Sequence, residues 1–213
     1  MLLQLNQIHP TFLSDKAIGE SEIWDHDLSF ESPSSLIVWG PSGQGKSTLL
    51  RILFGLETRF DGTLMWEGLS VDRPAHQFWP TLRKEKLALV PQEFHLLEDS
   101  SGWGNLHALP QWDDEVDRDQ ISEWAELLGI DSILDRDPRT WSMGQQQRFA
   151  LLRALASPFQ WLLLDEPVSH LDPDSAQKSL ELMHSVCAAR GAGWMMAQQT
   201  PDPLLPANHC IRV

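Results

Sequence analysis

The run GPSGQGKS, from Gly40 to Ser47, carries the clearest chemistry in the chain. It fits G-x-x-x-x-G-K-[ST], and glycines at 40, 43 and 45 permit torsions and a close approach that a Cβ would block. Successive N–H groups in such a loop converge on phosphate oxygens, helped by the positive end of the helix that follows. Lys46 is placed to meet β- and γ-phosphate oxygens, and Ser47 to ligate Mg²⁺. A second signal is LLLDE, an apolar run ending in Asp165 and Glu166. Alone it is a common strand-to-loop transition. Beside a phosphate loop, Asp165 reads as a carboxylate that holds Mg²⁺ through water, and Glu166 as a group that polarises an attacking water.

These residues need elements to position them. SLIVW at 35–39 is a short apolar run stopped by Gly40-Pro41, which predicts a buried strand entering the loop; helical spacing follows at 47–56. Residues 87–90, 161–164 and 193–197 are further candidate buried strands. Helical patterns lie at 119–128, 143–156 and 174–189. Strands alternating with helices imply a largely parallel sheet covered on both faces. The first 34 residues differ: LLQLN and WDHDLSFE alternate apolar and polar positions as half-buried antiparallel strands do. Much of the acid, including DDEVDRD at 113–119, falls in a stretch of helical character that reads as an insert.

Composition narrows the class. The chain has 213 residues, enough for one domain, with 16 basic and 30 acidic residues and a net charge of −14. A hydrophobic fraction of 42% marks a folded chain, and the acidic balance argues against nucleic acid as a partner. The start, MLLQLNQIHP, lacks the pattern of a signal peptide, and no run is long and apolar enough to span a bilayer. Cys187, Cys210 and eight scattered His show no metal spacing, so the expectation is a reduced cytoplasmic protein without a structural metal.

Between the two phosphate-site motifs lies WSMGQQQR, Trp141 to Arg148. With the glutamine of LVPQEF at Gln92 and SHLD at 169–172, the ordered set resembles the ATP-binding cassette (ABC) ATPases, the nucleotide-binding subunits of ABC transporters. The resemblance covers essentially the whole chain. It implies an α/β P-loop NTPase core with an antiparallel β edge and a helical insert: one domain over 1–213, core about 1–91 and 149–213, helical sub-domain about 92–148. It implies MgATP as ligand. Gly40, Pro41, Ser42, Gly43, Gln44, Gly45, Lys46, Ser47 and Thr48 would surround the phosphates, with Ser47, Gln92 and Asp165 at Mg²⁺ and Glu166 as base. Phe12 falls where the family stacks an aromatic on adenine.

The resemblance further implies a homodimer or heterodimer of cassettes sandwiching two MgATP, with Ser142, Gly144 and Gln145 facing the opposite protomer's nucleotide. Ser142 and Gln145 also form an ordinary capping box for the helix that follows. A separate transmembrane permease subunit would dock on the helical insert, placing the chain in the cytoplasm at the inner face of the membrane. Two positions depart from the family pattern. Met143 replaces the first signature glycine, and Gln198 stands where a switch histidine is expected. An amide still donates a hydrogen bond to a γ-phosphate but carries no proton or positive charge. Hydrolysis is therefore expected to be slowed, and the alternative is a regulatory ATP-binding subunit with little turnover.

Overall fold

The strand expected before the phosphate loop is β3 (Ser35–Trp39), and it lies inside a five-stranded sheet. The computed structural model describes residues 1–71, 78–109, 112, 116–200 and 207–213. In that sheet β6 (Leu87–Val90), β7 (Trp161–Asp165) and β8 (Gly193–Gln198) lead to β3, and β9 (His209–Arg212) closes the far edge. All four neighbouring pairs are parallel, so Val90, Asp165, Gln198, Trp39 and Arg212 end on one edge. Clefts at the carboxyl ends of parallel strands are where such sheets bind ligands.

Both faces of the sheet are buried, which is why its strands read as unbroken apolar runs. Ile37, Leu162, Leu164 and Met196 face one layer, packed with helices α6 (Met143–Ala156) and α7 (Pro173–Arg190). Leu36, Val38, Leu163 and Met195 face the other, with α2 (Lys46–Leu53) and a second sheet. That second sheet is antiparallel at each junction, in the order β2 (Asp27–Glu31), β1 (Leu2–Pro10), β4 (Phe60–Trp66), β5 (Leu69–Ser70). The half-buried alternation of the first 34 residues is therefore realised in β1 and β2.

Between β6 and α6 the described chain is helical: α4 (Gly102–His107), α5 (Arg118–Leu127) and two 3₁₀ turns, Asp131–Ile133 and Pro138–Thr140. Residues 113–115 of the acidic run lie outside the described residues. Cys187 is buried in α7, which pushes its thiol up to about 12, while Cys210 is exposed.

Three differences from the sequence reading have physical causes. The helix expected over 47–56 ends at Leu53, because Gly55 takes φ +73° and Trp79 packs where its Cβ would stand, 2.5 Å away. Strand β8 runs one residue further than expected, carrying Gln198 onto the strand edge beside Trp39. Strand β4 was not evident in the sequence, because Asp61 and Gly62 interrupt its pattern. There Gly62 sits at φ +97°, with its missing Cβ 2.3 Å from the carbonyl of Gln7, where β1 shifts register. Gly62→Ala therefore meets both a forbidden torsion and a rigid backbone atom. We expect a loss of about 2 kcal/mol, read as a Tm lower by roughly 4–8 °C in thermal melting.

Candidate nucleotide site at the strand ends

The loop from Gly40 to Ser47 joins β3 to α2 and is held from three sides. Gly40 N–H donates to Gln198 O (3.3 Å), and a Cβ on Gly40 would stand 2.5 Å from Val213 O. Trp24, fully buried, donates its indole N–H to Gln44 O (3.4 Å). Gly43 and Gly45 take φ +83° and +105°. A Cβ on Gly45 would meet Leu13 Cδ1 at 2.7 Å, which seats the residues after β1 against the loop.

Bent this way, the loop leaves its donors free. Among the described residues, the N–H groups of Gly43, Gln44, Gly45, Lys46, Ser47 and Thr48 find no acceptor. They stand at the N-terminus of α2, where the helix field favours an anion. Lys46 is buried, and its ammonium donates only to Gly40 O (2.8 Å) and Pro41 O (3.1 Å). A buried cation in ion-pair contact with no carboxylate of the described residues, ringed by unsatisfied N–H groups, fits a phosphate chain.

The strand tips supply the rest. Asp165 is buried, and its Oδ1 has no hydrogen-bond partner. Burial pushes its carboxyl above the usual range; a hydrogen bond from the Ser47 hydroxyl opposes this, the Glu166 charge adds to it, and Lys46 and Arg51 oppose it. Ser47, Arg51, Gln92, His95, Arg153 and Asp165 line a shared cleft of about 480 Å³. Hydroxyl, amide and carboxylate oxygens are the hard donors that Mg²⁺ prefers. Glu166 follows in the left-handed region at φ +49°, and its N–H donates to Ala197 O (3.0 Å). Gln198 Nε2 is buried without a partner. This edge thus offers an unpaired acceptor for a cation and an unpaired amide for a phosphate oxygen.

The remaining expected residues stand apart from this cluster. Ser142 caps α6 through Gln145 N–H (3.2 Å), and Gln145 Oε1 accepts Ser142 N–H in return (2.8 Å). Met143 projects with 53% of its surface exposed. A Cβ on Gly144 would lie 3.3 Å from His170 O and from Leu171 Cδ2, so the start of α6 packs on the turn after β7. No hydrogen bond among the described residues joins Ser142, Gly144 or Gln145 to the phosphate loop. Phe12 is exposed, with the Arg59 guanidinium 4.4 Å over its ring. Arg59 in turn forks onto Glu57 (3.1 and 2.9 Å), and that hydrogen bonding draws the Glu57 carboxyl down to about 2.

Sequence reasoning missed Gln147, Arg153 and Arg59. Gln147 is buried on α6, donates to Glu166 O (2.8 Å) and Ser169 Oγ (3.3 Å), and accepts from His170 N–H (3.0 Å). Arg153 donates to Phe94 O (2.7 Å) and His95 O (3.3 Å) just beyond Gln92. The available signal for Gln147 was its place on the stripe it shares with the buried Ala150, Leu151 and Ala154, where a polar residue needs partners.

Fold and site together define an α/β protein whose parallel strands carry, at their carboxyl ends, groups that fit a phosphate chain. The family profile described as ABC transporter matches residues 24–169. A sn-glycerol-3-phosphate import ATP-binding protein UgpC of Chromohalobacter salexigens is 40% identical over 158 residues, covering 72% of this chain but 41% of that protein. A lipoprotein-releasing system ATP-binding protein LolD 1 of Rhodospirillum rubrum is 34% identical over 180 residues, covering 83% and 79%. Among solved structures, the ATP-binding cassette MJ0796, dimeric and bound to ADP and Pi, superposes with a TM-score of 0.79 at 21% identity, covering 93% of this chain and 88% of that one. The chain belongs to the ABC transporter family, as one of its ATP-binding subunits. Among the described residues, no helix is long and apolar enough to cross a membrane.

Proposed function

We propose that this chain binds and hydrolyses ATP as a dimer that closes around two MgATP and drives a separate membrane subunit. The observation that carries the reading is the set of unsatisfied groups at one edge: the free N–H groups from Gly43 to Thr48, the buried Lys46 ammonium, Asp165 Oδ1 and Gln198 Nε2. Together they suit the phosphates and cation of a metal-bound nucleoside triphosphate, and the family assignment makes that ATP. Gly40 to Thr48 would hold the phosphates. Ser47 and Gln92 would hold Mg²⁺ directly and Asp165 through water; bound there, the cation would offset charge on the phosphate oxygens. Glu166 would take the proton of the attacking water. Phe12 would stack on the base from the loop that Leu13 seats against Gly45.

Ser142, Gly144 and Gln145 would act on the other protomer's nucleotide. In support, α6 presents a capped N-terminus, and those residues make no hydrogen bond to their own phosphate loop. The helical stretch between β6 and α6 would be the sub-domain that meets the membrane subunit, at the inner face of the cell membrane. Relatives named for lipoprotein release and for sn-glycerol-3-phosphate or molybdenum import agree on the ATP-binding role and differ in cargo.

A second reading, a regulatory subunit that binds ATP but turns it over slowly, is favoured by Met143 and Gln198. The exposed Met143 side chain adds bulk at the start of α6, where backbone would approach a phosphate. Gln198 cannot become charged as a histidine would. Turnover of Gln198→His beside the unaltered chain separates the readings. For a working ATPase we expect a change within about threefold; a gain of roughly tenfold or more would mark Gln198 as a brake, and one order in rate corresponds to about 1.4 kcal/mol of barrier.

A further inference from the structure

Glu166 is one of five non-glycine residues with positive φ among the described residues, and the one that directly follows Asp165 at the strand tip. At φ +49° it occupies a region that a side-chain-bearing residue adopts only when its surroundings impose it. Three hydrogen bonds hold it there. Its N–H donates to Ala197 O at the end of β8 (3.0 Å), and its carbonyl accepts Nε2 of Gln147 (2.8 Å) and, at longer range, the N–H of Ser169 (3.3 Å). Gln147 is 2% exposed, so water cannot take its place. Its amide is fully engaged: the second N–H reaches Ser169 Oγ (3.3 Å), and Oε1 accepts the N–H of His170 (3.0 Å).

We propose that Gln147 is a positioning residue for hydrolysis, holding Glu166 in the one backbone conformation that aims its carboxylate at the site. The inference rests on the reading of Glu166 as the base. It also gives α6 a second duty. The helix that carries Ser142 and Gly144 at its start is bonded, about one turn later, to the base and to the turn spanning 166–170. Gly144 adds a direct packing contact to the same turn, 3.3 Å from His170 O for a Cβ placed there. A shift of α6 is thereby transmitted to Glu166 without passing through the phosphate loop.

Two substitutions test this. Gln147→Met keeps the volume and removes every hydrogen bond; Gln147→Glu keeps the acceptor for His170 N–H but sets an oxygen against the Glu166 carbonyl. Both should lower kcat by about 100-fold, the usual effect of slight misplacement, with KM and nucleotide Kd within about twofold. Amide exchange over residues 166–170 should quicken at least about tenfold in Gln147→Met while the middle of α6 stays protected. Should Gln147→Met fail to fold, Gln147→Glu decides. A raised KM with unchanged kcat, or exchange and turnover both as in the parent, would overturn the proposal. Equal turnover by the parent and Glu166→Gln would instead remove the base assignment, leaving the exchange result to judge the clamp alone.

Discussion

Lys46→Ala should lose nucleotide binding almost completely, with Kd for MgATP raised about 100-fold or more, equivalent to about 2.7 kcal/mol. The side chain is 5% exposed and is the one cation seated inside the loop, where its charge acts on a phosphate through little water. Its present partners are two carbonyl oxygens, Gly40 O and Pro41 O, which hold it in place without neutralising it. An anion arriving in the loop therefore gains a charge-assisted contact that no other side chain of the loop supplies. Stability should change little, since the substitution removes a costly buried charge together with its hydrogen bonds. Titration calorimetry on the folded variant checks the expectation. Unchanged ATP affinity would take Lys46 out of the site.

Glu166→Gln should do the opposite: leave ATP binding intact and lower turnover by about 100-fold or more, the range associated with loss of a general base. The amide has the same shape and leaves the backbone at φ +49° with its bonds to Ala197 and Gln147. It cannot accept a proton from water. The substitution also removes the Glu166 charge that adds to the upward displacement of the Asp165 carboxyl. Asp165 should then stay ionised to lower pH. With a carboxyl raised by folding, the cost of its ionised form is absent at low pH and appears as pH rises through the ordinary carboxylate range, so the variant should be the more stable protein near neutrality. Single-turnover hydrolysis and a pH series of thermal melts check the two halves.

The parts of this fold that were legible in the sequence are those where one element obeys one rule. β3, β6 and β7 are buried on both faces, so Ser35–Trp39, Leu87–Val90 and Trp161–Asp165 read as plain apolar runs. β9 did not, because His209–Arg212 is short and largely exposed at a sheet edge. α3 (Trp79–Glu85) opens beside residues outside the description and has only one buried side chain, Trp79, so its face carries no period. The same division holds at the site. Gly40 to Ser47 and the Asp165–Glu166 pair are contiguous, and a motif is contiguous by nature. Gln147 acts across 19 residues, and Arg59 meets Phe12 where the paired ends of β1 and β4 meet, so only three-dimensional packing brings them to their partners. The unpaired Gln198 amide and Asp165 Oδ1 are invisible to any pattern, because they are defined by what does not touch them.

The most direct test of the central claim is the mass of Glu166→Gln in solution, measured by sedimentation with MgATP and again after chelation of the metal. A cassette that closes on MgATP should sediment at twice the monomer mass with MgATP and return to monomer once the metal is removed. A chain that binds ATP yet sediments as a monomer at saturating MgATP would contradict it.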